Sequence, residues 1–176
     1  MDDDTRIADD ELDAFVLQLG EPFIREEPIA VARAPGRLDV MGGIADYSGS
    51  LVLEMPIREA TLVAAQRATD GLTVQSRMPD GSVRRANVAA AEWNELLCAD
   101  YGQSCGRFAE SDEPWLAYVA GPVLLFAREH GVNLDGGMRI VVEWRVPGSK
   151  GVSSSAAVEI ATMRAAGALV GETLDG

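Results

Sequence analysis

Two short segments of this 176-residue chain carry residue types whose spacing suits ligand chemistry. One runs through Pro147, Gly148, Ser149, Lys150, Gly151, Val152, Ser153, Ser154, Ser155, Ala156 and Ala157. Its glycines let backbone amides approach a ligand closely, and a helix opening behind it presents unpaired N–H groups at its positive end. That combination makes a polyphosphate site. Ser153, Ser154 and Ser155 can cap the helix and also offer hydroxyls to phosphate or Mg²⁺. Lys150, the only lysine in the chain, adds a point positive charge beside the loop. The spacing is not that of a Walker A loop. The plainer reading is a Gly/Ser connector with an N-cap.

The second segment, residues 34–50, places Arg37, Asp39, Asp46 and Tyr47 among glycines 36, 42, 43 and 49. A guanidinium there suits phosphate oxygens and a carboxylate suits polyol hydroxyls. Its plainer reading is a turn-rich connector whose Arg–Asp pair is a surface ion pair worth little. Other chemistries are thin. His130 is the sole histidine, which removes mechanisms needing a His pair or a Ser–His dyad, and its place before Gly131 suits a cation at a helix C-terminus. Cys98 and Cys105 make neither a zinc site nor a disulfide framework, so a reducing cytoplasm is expected.

The elements that must hold these segments are readable by periodicity. Asp9 to Leu19 sets Leu12, Phe15, Val16 and Leu19 on one helical face. Residues 29–33, 50–54, 59–66, 72–76 and 82–88 read as strands, with Asp70-Gly71 and Asp80-Gly81 as hairpin turns between the last three. A short helix is expected over 91–97. A longer one is expected from Glu113 to Glu129, with Trp115, Tyr118, Val119, Leu125 and Phe126 inward and a kink or break at Gly121-Pro122. Residues 137–146 alternate as a half-buried strand, and 153–170 form an Ala-rich helix. The sum is an α+β lobe. Residues 1–28 are an acidic helix and lead-in, and 29–176 are the lobe itself.

Composition bounds the partners. The net charge is −13, and residues 1–30 hold ten acids against two arginines. Such a surface repels nucleic acid and anionic membranes, so neither is expected as a partner. The acidic start reads as a solvated helix face rather than a docking tail, and it lacks the basic n-region of a secretory signal. No apolar run approaches a membrane span.

Together the two segments resemble the GHMP family of small-molecule kinases, named for galactokinase, homoserine kinase, mevalonate kinase and phosphomevalonate kinase. The string from Ala34 to Leu53 looks like the first motif of the galactokinase branch, and Pro147 to Glu159 looks like the family's phosphate-binding motif. The resemblance runs from about Val31 onward and implies the GHMP N-terminal lobe, a mixed sheet packed against helices. It implies an ATP-dependent sugar kinase acting on an anomeric hydroxyl. Residues Pro147 to Ala157 would cradle ATP, with Ser155 as the Mg²⁺ contact. Arg37 would be catalytic and substrate-binding, with Gly43, Asp46 and Tyr47 also on the sugar. Where galactokinases have Gly-Glu-His this chain has Gly42-Gly43-Ile44, which favours L-arabinose over D-galactose. The family's catalytic aspartate, its Mg²⁺-binding acid and its third glycine-rich motif are not found; only Glu172 and Asp175 follow the last helix. A lobe truncated before the C-terminal lobe is therefore expected, inactive alone and completed by a separately encoded C-terminal portion. The alternative is a non-catalytic sugar or nucleotide sensor on the same scaffold.

Overall fold

A computed structural model describes residues 3–43, 48–172 and 174. Its order is α1 (Asp3–Leu17), β1 (Ala30–Met41), β2 (Leu53–Arg67), β3 (Gly71–Arg77), β4 (Val83–Ala89), α2 (Ala90–Cys98), α3 (Tyr101–Ala109), α4 (Ala117–His130), β5 (Gly137–Glu143) and α5 (Ser154–Val170). The expected α+β lobe is thus present, as a five-stranded mixed sheet ordered β1-β2-β5-β3-β4. All neighbours are antiparallel except β3 and β5, which run parallel.

That order corrects one expectation. Asp70-Gly71 is not a hairpin turn, because β5 lies between β2 and β3. The true hairpin is β3–β4, where Asp80 accepts from the Ser82 amide at 2.9 Å and the Ser82 hydroxyl at 2.6 Å. These bonds hold the Asp80 carboxyl below its ordinary range.

Both sheet faces are covered, which is why β2 is buried without alternation from Ala60 to Gln66. One face meets α2, α4 and α5 in the main core, through Val63, Ala65, Leu72, Met138, Ile140, Phe126 and Val158. Opposite it, Phe15 of α1 packs on Leu62, Ala64 and Val141. The 137–146 segment is accordingly a central strand ending at Glu143, buried on both sides rather than half-buried. On α1, Phe15 is buried but Val16 is exposed, so the inward stripe is narrower than its periodicity suggests.

Several boundaries also moved. Helix α1 begins at Asp3, not Asp9. The strands expected at 29–33 and in two pieces over 50–66 are longer and continuous, reaching Met41 and spanning Leu53–Arg67. Helix α4 starts after a 3-10 turn at Pro114–Leu116 and continues through Pro122 without a break. Pro122 forfeits one bond, but its ring is buried in the helix layer, which offsets part of that cost. Tyr118 and Leu125 are not inward; both line a groove against α3. Helix α3 itself was not expected. Its signal is a capping box, in which Asp100 and Gln103 satisfy each other's amides. His130 ends α4 before the left-handed Gly131, with its ring 4.8 Å from that of Phe126.

The segment between α1 and β1 is tied down by one buried amide. Gln66 accepts from the Ile24 amide at 2.9 Å and donates to the carbonyls of Ile24 at 2.8 Å and Glu27 at 3.1 Å. Replacing it with an apolar side chain strands those backbone groups. Gln66→Leu should cost about 1–3 kcal/mol, a melting temperature lower by roughly 3–10 °C for a chain of this size. A thermal melt checks it.

Candidate functional site

β1 and β2 are longer than the sheet they belong to. Beyond Pro35 they leave it as a two-stranded ribbon, with exposed residues from Arg37 to Met41 on β1. Register shifts fall between Pro35 and Arg37 and between Asp39 and Met41. Such bulges bend a strand and re-aim its side chains. Here they turn Arg37 toward the loop that opens α5.

Two hydrogen bonds make the contact. The Arg37 amide donates to the Val152 carbonyl at 3.1 Å, and Arg37 Nε donates to Ser153 Oγ at 3.1 Å. Across the ribbon, Arg37 Nη1 lies 3.0 Å from Glu54 Oε2. Among the described residues the ion-pair partner of Arg37 is thus Glu54 across the ribbon, not Asp39 of its own loop. Gly36 makes the approach possible: a Cβ there would lie 2.8 Å from the Val152 carbonyl oxygen and 2.7 Å from Val146 Cγ1. The two sequence segments therefore share one place in the molecule.

Ser153 departs from its expected role. It occupies the N-cap position of α5 in the left-handed region, with φ 55° and ψ 44°, and its side chain makes no cap hydrogen bond. The hydroxyl is committed to Arg37 instead. Consequently the first amides of α5 keep no side-chain cap, the condition in which a helix start receives an anion. Ser149 is also at positive φ, 57°, and Gly151 at 71°. A serine held there stores strain of about 1–2 kcal/mol, which a ligand-binding loop tolerates because its amides must converge. Gly148, Ser149, Lys150, Gly151 and Ser155 are exposed, Val152, Ser154 and Ala156 half-buried, and Ala157 buried as the anchor under the sheet. Pro147 is exposed at the head of the loop.

Gly43 lies at the end of the ribbon, half-buried. Asp46 and Tyr47 fall outside the described residues. Among the described residues no group of three or more His, Cys, Asp or Glu could hold a metal ion. The exposed Ser155 hydroxyl fits a Mg²⁺ that arrives with phosphates, since Mg²⁺ is commonly held through substrate phosphates and few protein ligands.

One feature near the loop was missed in the sequence. A groove of about 560 Å³ opens between α3, α4 and α5, lined by Tyr101, Phe108, Tyr118, Leu125, Glu159 and Ile160 among others. Glu159 follows Ser155 by four residues, just over one helical turn or about 6 Å along the axis. Partial burial raises its carboxyl above the ordinary 4.5. The signal available was exposed aromatic and apolar side chains at helical spacing on α3 and α4, which resembles a core stripe until α3 is placed.

Residues 20–67 match the galactokinase galactose-binding signature, and residues 117–176 match the N-terminal domain of GHMP kinases. The chain is 42% identical to L-arabinokinase of Arabidopsis thaliana over 89% of its own length and 18% of that protein. It is 31% identical to galactokinase of Roseiflexus sp. (strain RS-1), over 76% of this chain and 29% of that one. Lactococcus lactis galactokinase, solved with galactose, superposes with a TM-score of 0.64 at 21% identity, covering 93% of this chain and 38% of that one. Mevalonate kinase of Methanococcus jannaschii gives 0.60 at 16% identity, over 84% and 42%. The chain belongs to the GHMP kinase family, in the branch of the galactokinases and L-arabinokinase. It spans less than a third of the length of these two curated relatives.

Two measurements follow from this geometry. Gly36→Ala forces a methyl against the Val152 carbonyl and should cost about 1–3 kcal/mol, with the loop at 147–153 showing faster amide exchange than in the parent. Glu159 gives a pH signature. A carboxyl raised on folding holds its proton better in the folded state, so stability is lost as pH climbs from 4.5 through the raised value. The melting temperature of Glu159→Gln relative to the parent should therefore increase between pH 4 and pH 7.

Proposed function

We propose that this chain supplies the phosphate-binding loop and part of the sugar site of an ATP-dependent sugar-1-kinase. Its substrate is the anomeric hydroxyl of L-arabinose, with D-galactose the second choice. The observation that carries the reading is the Arg37–Ser153 hydrogen bond, which sets the sugar-motif arginine on the loop expected to hold the triphosphate.

In this reading the amides and hydroxyls from Pro147 to Ala157 hold the phosphates of ATP, assisted by Lys150. Ser155 adds a ligand to Mg²⁺, which offsets the charge on the phosphates. The groove beside α5, which Glu159 lines one turn after Ser155, takes the adenine, with Tyr101 and Tyr118 as its exposed aromatic surface. Gly43, Asp46 and Tyr47 are assigned to the sugar, with Asp46 as the acceptor for its hydroxyls.

Transfer forms a bond between the anomeric oxygen and the γ-phosphorus while the bond to the β–γ bridging oxygen breaks and ADP departs. Arg37 stabilises charge on the phosphoryl group in flight, and its prior pairing with Glu54 and Ser153 holds it where that charge develops. We assign the acceptor of the anomeric proton to the part of the relatives that this chain does not span. Ligand binding in this reading needs only the residues of this chain, and turnover needs that remaining part as well. Residues 1–28 form a lead-in and 29–176 the lobe, working in the cytoplasm.

Calorimetric titration tests this with the chain as it stands. MgATP should bind, and Arg37→Ala should weaken both MgATP and L-arabinose by about tenfold, the value of a charge-assisted hydrogen bond. Binding of neither ligand at millimolar concentration, or an Arg37→Ala chain that binds both like the parent, overturns the reading.

A further inference from the structure

The turn after β1 contains two adjacent glycines with different reasons to be glycine. Gly42 sits at φ 88°, where a side chain is strained. Gly43 is under no such demand, since it is not among the residues at positive φ. What a side chain at 43 would meet is Asp39: a Cβ there would lie 2.0 Å from Oδ2, 2.4 Å from Cγ and 3.0 Å from Cβ of that residue. The Asp39 carboxylate already occupies the volume.

Its cross-strand neighbour is another carboxylate. Asp39 stands directly across the ribbon from Glu54, and like charges in opposed cross-strand positions repel. Glu54 is met by Arg37 at 3.0 Å. Among the described residues Asp39 has no hydrogen bond or ion pair of its own, and it is exposed. An exposed carboxylate without an internal partner, two residues from Arg37 on the same strand, is an acceptor awaiting donors. Paired carboxylate oxygens suit vicinal hydroxyls, and the neighbouring guanidinium limits the local negative charge that would otherwise oppose a phosphorylated product.

We propose that Asp39 is a sugar-binding residue, accepting hydrogen bonds from pyranose hydroxyls, and that position 43 is glycine so that this carboxylate can lie over the turn. The assignment rests on the sugar-kinase reading above and names a further residue of that same site. It also explains why Gly43 matters without the residue itself offering any side chain to a ligand.

The test uses two variants and two ligands, with L-arabinose and D-galactose as the sugar probes and MgATP as the second ligand. Asp39→Asn keeps the shape and removes the charge. Gly43→Ala keeps the carboxylate but pushes it aside, an adjustment open to a flexible, exposed side chain, so both variants should melt within about 2 °C of the parent. Each should weaken the better sugar by about tenfold while leaving MgATP affinity unchanged, and Asp39→Asn/Gly43→Ala should be no worse than either alone, since both act on one carboxylate. A parent chain that binds sugar and an Asp39→Asn variant that binds it equally well overturn this assignment and leave the kinase reading standing. Equal loss of sugar and MgATP, or a collapsed melting temperature, gives Asp39 a structural role and overturns it too. A parent chain that binds MgATP but no sugar overturns this assignment, and one that binds neither ligand overturns both.

Discussion

The hydrogen bond from the Arg37 amide to the Val152 carbonyl, doubled by the one from its guanidinium to Ser153, joins residues 115 or more positions apart in the chain. Neither segment has a reason to be ordered alone. Loops rich in glycine lose much entropy on fixing, and short-range bonds within the 147–153 loop are few. The clasp supplies an outside reference. It is possible because Gly36 removes the one side chain that would hold the backbones apart, and because buried Val146 fixes where the loop leaves the sheet.

Helix α5 provides the other fixed end. Five of its seven buried residues are alanine or glycine, Ala157, Ala161, Ala165, Ala166 and Gly167, so the helix lies close against β1 and β2. Close approach leaves little freedom for sliding, because each alanine has a definite place against strands that are themselves buried on both faces. The open amides of the first turn are thereby aimed by the core rather than by a cap. Ser153 illustrates the exchange: a residue that would ordinarily satisfy one of those amides instead holds an arginine and adopts a strained backbone to do so. Stability at the helix end is given up, and an uncapped donor array beside Arg37 is gained.

What was legible in the sequence is what is encoded locally. The serine loop, the Ala-rich helix behind it and the Asp80-Gly81 turn depend on neighbours within a few residues, and each formed where periodicity and turn chemistry put it. The insertion of β5 between β2 and β3 depends on a pairing across more than sixty residues, so Asp70-Gly71 was open to being taken for a hairpin. The continuation of β1 through Met41 was hidden by its glycine and proline, because bulges let a strand carry residues that strand propensity rejects. The outward turn of Tyr118 and Leu125 follows from α3, an element whose only local sign was the Asp100–Gln103 cap. Glu54 was not legible as the partner of Arg37, since only the ribbon register brings it there.

Charge placement ties these features to ligand choice. A chain of net −13 must attract anions locally or not at all. Its densest acidity lies in the first thirty residues, whose helix covers the sheet face opposite α5. There Glu11 is held by Arg33 at 2.9 Å and by Arg145 at 3.8 Å. On the α5 side, Arg37 already has Glu54, so its charge offers little pull at a distance. What remains for a phosphate is short-ranged: Lys150, the loop amides and the helix start. In the proposed reading such a site discriminates by fit rather than by field. An anion that cannot enter the loop gains nothing from the surface, whereas one whose oxygens reach the first amides of α5 meets donors left without a side-chain cap.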